Sequence, residues 1–249
     1  MLSLTKDKIQ GICFDLFNTL VSVGQVPAHV GPNTADILGV DIQIWREVCF
    51  SEHHEICEPT DATETLRRLA HSIHPEIPEA TIQKAVKVRQ RRFDYALQYV
   101  ETEVLDVLGD LRQSGLRLAL ISNASSSEVQ AWPASPLAGL FDTTIFSCHC
   151  GSKKPDSPIY HAALRGLSLE PNSCLFVGDG GSNEHYGAHA VGMKPVLLRR
   201  YLQRGEKQRR EQELAAILIA SIDSLSELRS CFKNGTGKPG VSPRLPGPL

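Results

Sequence analysis

The amino-acid sequence predicts an α/β fold, a Rossmann-like parallel sheet core interrupted by an inserted helical segment. Two observations lead there. Short apolar runs ending in small or polar residues recur at positions 11–14, 116–121, 141–146 and 174–177. Between the first two, the strand pattern vanishes, and from Ala35 to about Tyr99 apolar residues fall at three-to-four spacing instead. Strand and helix patterns then alternate to about residue 230, which calls for parallel strands joined by right-handed crossovers.

Each run ends in residues capable of chemistry. The first leads into Asp15, Leu16, Phe17, Asn18 and Thr19. In an open parallel sheet, ligands bind outside the carboxyl ends of the strands, so Asp15 stands where such an enzyme keeps its nucleophile. A lone strand-end Asp is most often a helix cap or turn former, and it is the other runs that change this reading. The second run is followed by Ser122-Asn123, the third within a few residues by Lys153-Lys154-Pro155-Asp156, and the fourth by Gly178-Asp179-Gly180-Gly181-Ser182-Asn183-Glu184. The glycines around Asp179 permit positive φ and close backbone approach.

Within the insertion, Leu66, Leu69, Ala70 and Ile73, then Ile82, Ala85, Val86 and Arg89, mark helix faces. Five prolines, Pro27, Pro32, Pro59, Pro75 and Pro78, divide the segment into three or four helices, with Asp61 or Thr63 and Thr81 as caps. The predicted organisation is a core of residues 1–20 and 100–232, a helical cap at 21–99, and a Gly/Pro-rich tail at 233–249 with too little apolar content to order itself.

Composition narrows the classes of function. With 249 residues, 41% hydrophobic and 22% charged, the chain can bury a substantial core. A net charge of −2 gives no electrostatic footprint for nucleic acid, and the basic run from Arg199 to Arg210 reads as a solvated helix face. No apolar stretch approaches the ~20 residues of a membrane span, and no signal-peptide pattern opens the chain. A cytoplasmic location, no membrane or nucleic-acid partner, and a monomer or homodimer are the expectations. Seven scattered cysteines argue against a disulfide framework. In Cys148-His149-Cys150, an extended backbone would put the two thiols on one face and the imidazole on the other, which argues against a zinc site.

The ordered set Asp-x-x-x-Thr, Ser-Asn, Lys-Pro-Asp and Gly-Asp-x-x-x-x-Glu, spread over residues 8 to about 200, resembles the haloacid dehalogenase-like hydrolase superfamily. The resemblance implies that Asp15 attacks an electrophilic phosphorus or carbon to form a covalent aspartyl intermediate. It implies that Ser122 and Lys154 act with Asp15 in catalysis, with Asn123 and Thr19 contacting an anionic substrate. Lys153 competes with Lys154, and the residue directly before Pro155 matches the family pattern. The resemblance further implies that the helical insertion is a cap over the nucleophile, and that Mg²⁺ is the cofactor, held by Asp15, Asp179, Glu184 and the backbone carbonyl of Phe17.

One departure cuts across this pattern. Many phosphatases of the superfamily carry a second Asp two residues after the nucleophile as general acid and base, and Phe17 stands there. An aromatic residue at that place resembles the L-2-haloacid dehalogenase branch, in which Arg46 on the cap and Tyr160 after Lys154 match substrate-site positions. Asp179 departs from that branch, which works without metal. Three readings stay open: Mg²⁺-dependent hydrolysis of a small phosphorylated metabolite, hydrolytic dehalogenation of a 2-haloacid, and a catalytically silent module that binds a ligand or partner. His53 or His54 is a candidate for the missing acid, and His53, His54, Glu55, Arg89, Arg91, Arg92 and Tyr95 are candidates to read the substrate.

Overall fold

The computed structural model describes residues 9–232, so the predicted tail lies outside the described residues. Six strands form one parallel sheet: β1 (Gly11–Phe14), β2 (Arg117–Ser122), β3 (Thr143–Phe146), β4 (Cys174–Gly178), β5 (Lys194–Leu198) and β6 (Ala220–Ile222). Their order is β3-β2-β1-β4-β5-β6, with every neighbouring pair parallel. The nucleophile candidate thus ends a central strand, beside the point where the order reverses and ligands bind in such sheets.

The sheet is apolar on both faces, as expected for parallel strands covered by helices. Ile12, Phe14, Leu118 and Leu120 point to one face with Leu108 and Leu228, whereas Cys13, Ala119, Ile121 and Phe176 point to the other with Ile159 and Ala188. The first face packs on α5 (Thr102–Gln113) and α10 (Leu225–Phe232), and the second on α7 (Ser157–Leu167) and α8 (Glu184–Ala190).

Between β1 and α5 lie α1 (Thr34–Leu38), α2 (Ile42–Cys49), α3 (Ala62–Ile73) and α4 (Glu79–Gln98), which build a separate core from Trp45, Leu66, Leu69, Ile82 and Ala85. Asp61 caps α3 by accepting from the amides of Thr63 and Glu64. Thr81 is not a cap: α4 begins at Glu79, and Pro78 is the N-cap, offering no side-chain acceptor while its carbonyl accepts the amides of Thr81 and Ile82. Buried Arg92 ties α4 to the chain leaving the first strand, donating from Nη1 to the Gly31 carbonyl at 2.6 Å and from Nη2 to that of Val23 at 2.7 Å.

Two further expectations need correction. The third strand begins at Thr143, not Phe141, because Phe141 ends a short 3-10 turn and packs its ring against Phe14 and Trp132. Cys148-His149-Cys150 is not extended but lies in the single helical turn α6 (Ser147–Cys150), with Cys148 buried and Cys150 exposed. Among the described residues no helix is long and apolar enough to cross a membrane.

Replacing Arg92 with Ala takes the donors from the part-buried Gly31 and Val23 carbonyls and removes two charge-assisted hydrogen bonds. The expected loss is roughly 3 kcal/mol of folding stability, read by urea denaturation.

Candidate active site

The carboxyl ends of β1, β2 and β4 bring the sequence motifs together. Asp15 follows β1 directly, and its amide continues the ladder by donating to the Val177 carbonyl at 2.9 Å. The next turn is tight: the amides of Thr19, Leu20 and Val21 all point to the Leu16 carbonyl, and Asn18 sits in the left-handed region at φ 60°. Asn is among the few residues other than glycine that adopt this conformation readily, which accounts for its place in the turn. The turn carries Thr19 back to the carboxylate, where its hydroxyl donates to Asp15 Oδ2 at 2.8 Å.

Lys154 supplies the cation. Its ammonium lies 2.5 Å from Asp15 Oδ1 and 2.6 Å from Glu184 Oε2, with all three side chains at least nine-tenths buried. Burial works against the lysine charge, but the two carboxylates more than offset it and hold the ammonium above its ordinary range. Asn123 fixes the lysine backbone from both sides, donating from Nδ2 to the Lys154 carbonyl at 2.9 Å and accepting the Lys154 amide at 2.7 Å. Lys153 takes no part in this arrangement.

Glu184 is held at three points. Its Oε1 accepts the Gly180 amide at 3.0 Å, its Oε2 meets Lys154, and its backbone carbonyl accepts the buried Tyr160 hydroxyl at 2.7 Å. Gly178 and Gly187 make room for this. A Cβ at Gly178 would lie 2.1 Å from Glu184 Oε1, and one at Gly187 would lie 2.4 Å from the Pro155 carbonyl oxygen and 2.6 Å from the Tyr160 hydroxyl. Of the three glycines flanking Asp179, only Gly180 takes positive φ, while Ser182 and Asn183 also do so. The Asp179 Oδ1 accepts the Gly181 amide at 2.9 Å.

Asp15, Asp179 and Glu184 bring ligand oxygens within 4.8 Å of one another. Burial first, and then the neighbouring carboxylates, push the Asp15 and Asp179 carboxyls well above the usual range, with Lys154 pulling against both shifts. Three acids converge here beside one ammonium, and their hard oxygen donors suit a divalent cation of the Mg²⁺ class. The Phe17 carbonyl accepts no hydrogen bond among the described residues, so its oxygen is unengaged. Ser122 Oγ is buried at the end of β2 without a hydrogen-bond partner among the described residues.

The structure does not bring every candidate here. Arg46 is exposed on α2 and makes no hydrogen bond or ion pair among the described residues; its neighbour Trp45 turns inward, with the Arg89 guanidinium 5.8 Å above its ring. The Phe17 ring packs edge-to-face on Phe93 of α4 at 5.2 Å. His53 is exposed, and buried His54 holds the Cys49 carbonyl with Nδ1 while its Nε2 lies 3.8 Å from Glu128 Oε1. Arg92 is occupied by two backbone carbonyls. Sequence reading missed Glu128, a lone acid in a serine-rich loop, with no spacing signal to mark it.

Comparisons with known proteins place the fold. A family model described as haloacid dehalogenase-like hydrolase matches residues 9–192. A glyceraldehyde 3-phosphate phosphatase from Methanopyrus kandleri is 24% identical over 204 residues, 77% of this chain and 84% of its own length. The L-2-haloacid dehalogenase of Xanthobacter autotrophicus with chloropropionic acid covalently bound superposes with a TM-score of 0.63 at 18% identity, over 89% of this chain and 97% of its own. CbbY from Rhodobacter sphaeroides in complex with phosphate superposes at 0.59 and 23% identity, over 88% and 96%.

Removing the buried cation while keeping the carboxylates tests what holds this centre. Lys154→Met is expected to cost about 3–5 kcal/mol near neutral pH, measured by urea denaturation, because two buried carboxylates lose their counter-charge.

Proposed function

Because the chain belongs to the haloacid dehalogenase-like hydrolases, we propose that it is a Mg²⁺-dependent hydrolase of a small phosphorylated metabolite, with Asp15 as nucleophile. The observation that carries this reading is the convergence of Asp15, Asp179 and Glu184 within 4.8 Å, a donor set that dehalogenation has no use for. When bound, Mg²⁺ would be held by these three carboxylates and the Phe17 carbonyl, and would screen Asp15 from an anionic substrate.

The chain's own residues then have separable tasks. An Asp15 oxygen attacks phosphorus, forming the aspartyl–phosphate bond as the bond to the leaving oxygen breaks. Thr19 and Lys154 keep the carboxylate oriented by holding one oxygen each. The uncommitted Ser122 hydroxyl donates to a phosphoryl oxygen. Asn123 positions Lys154 by gripping its backbone, and its second Nδ2 hydrogen is left to meet a substrate oxygen. Water afterwards attacks the aspartyl phosphate, releasing phosphate and restoring the carboxylate.

Phe17 sets the limit of this chemistry. Its ring is packed on Phe93 and can neither give nor take a proton, so the departing oxygen leaves without a positioned acid. The missing proton transfer is worth on the order of 10²–10⁴ in rate, which favours substrates whose leaving oxygen is already acidic. The same ring favours dehalogenation as a second reading, because a halide departs without a proton. On that reading Asp15 attacks carbon and Lys154 and Ser122 stabilise the carboxylate and halide.

Purified protein is expected to release phosphate from a reactive aryl phosphate only with Mg²⁺ present, and Asp15→Asn to abolish release. Mg²⁺ is also expected to raise the melting temperature of the wild type and not of Asp179→Asn. Silence toward aryl phosphates, together with chloride release from 2-chloropropionate without metal, would transfer the assignment to dehalogenation. Phe17→Asp is expected to raise turnover of alkyl phosphates relative to aryl phosphates, while lowering stability through loss of the contact with Phe93. An unchanged ratio would count against the phosphatase reading.

A further inference from the structure

We propose that Glu128 is a positioning residue that makes docking of the helical insertion govern the loop bearing Ser122 and Asn123. Glu128 is 6% exposed, and its two oxygens serve different parts of the molecule. Oε2 accepts the amide of Ser125 at 2.9 Å, closing the loop that begins at Ser122. Oε1 accepts from Arg89 Nη2 at 2.5 Å, across to α4 of the insertion.

The rest of the loop is gripped by the same insertion. Gln90 Nε2 donates to the Ser127 carbonyl at 2.8 Å, and the Thr60 amide donates to Ser126 Oγ at 3.3 Å. A small cavity of about 10 Å³ lies between the loop and the insertion, lined by His54, Arg89, Phe93, Ser125 and Ser127 among others, which is room for about one water. Glu128 is the only side chain among these contacts that holds its own loop and the insertion at once.

Arg89 carries the coupling onward. Its guanidinium lies 4.6 Å above the Phe93 ring, and Phe93 meets the edge of Phe17, two residues beyond the nucleophile. Docking is thereby sensed on both sides of the centre, through Phe17 at the Asp15 turn and through Glu128 at the Ser122 loop. The loop reaches the cation as well, because Asn123 holds the Lys154 backbone. Separating the insertion would take Arg89 away from Glu128 and leave the Ser125 amide as the one hydrogen bond holding that carboxylate, so the loop would be less firmly fixed.

The test uses the full chain with Mg²⁺. Glu128→Gln keeps an acceptor for the Ser125 amide and drops the charge that faces Arg89. Amide hydrogen exchange across 122–128 and α4 is expected to accelerate, with the strands unchanged; unchanged exchange in the loop, or acceleration everywhere alike, overturns the proposal. The kinetic arm rests on the phosphohydrolase reading: kcat on an aryl phosphate is expected to fall roughly tenfold to a hundredfold, with KM moved far less. Should Glu128→Gln fail to fold, Arg89→Gln tests the same link from the insertion side. The double variant is expected to be no worse than the poorer single one, whereas multiplying effects overturn the coupling. If the wild type turns nothing over, the functional reading fails, and exchange with the stability cycle of the two variants still decides the docking role.

Discussion

The candidate site depends on one buried cation. Lys154 puts its ammonium between Asp15 and Glu184, whose elements are far apart in sequence, and thereby binds β1 to α8 through the loop after β3. Without it two carboxylates a few ångströms apart would be buried against each other, and the sheet could not hold them ionised. Much of the surrounding architecture serves this triad. Asn123 fixes the lysine backbone, Thr19 orients the aspartate, Tyr160 anchors the glutamate backbone, and Gly178 and Gly187 leave the space the glutamate and tyrosine occupy. A buried ion pair is a weak source of net stability, so its value here is geometric: it fixes where two oxygens point.

Much of this centre was legible because parallel sheets impose a rule on sequence. Apolar runs ending in polar residues announce strand ends, and strand ends of one sheet share one side, so Asp15, Ser122, Asp179 and Glu184 could be grouped without any distance. Residues acting from the third dimension were not legible. Glu128 sits in a loop without periodicity and is defined by Arg89, 39 positions away. Arg46 failed for the complementary reason: on an amphipathic helix the register decides which neighbour turns inward, and that place went to Trp45. At Phe17 the sequence showed the missing acid, whereas only the structure shows its ring engaged with α4.

The conflict between the clustered acids and an aromatic residue two positions after Asp15 is thus a difference of location. The carboxylates face the centre, and the Phe17 side chain is turned into the contact with the helical insertion. A position that elsewhere in the superfamily handles protons is here given to packing. This makes the turn after Asp15 part of the interface with the insertion, so the candidate site and the docking of the helices share a residue.

The strand order carries a consequence for how the chain is made. Among the described residues β1 hydrogen-bonds only to β2 and β4, whose Arg117 and Cys174 stand opposite Gly11 and are synthesised long after it. During translation its apolar residues emerge well before anything can pair with them. The helices that follow have local contacts and an apolar core of their own, and can consolidate in that interval. A folded insertion shortens the floppy connection across which the central strand must wait for its partners.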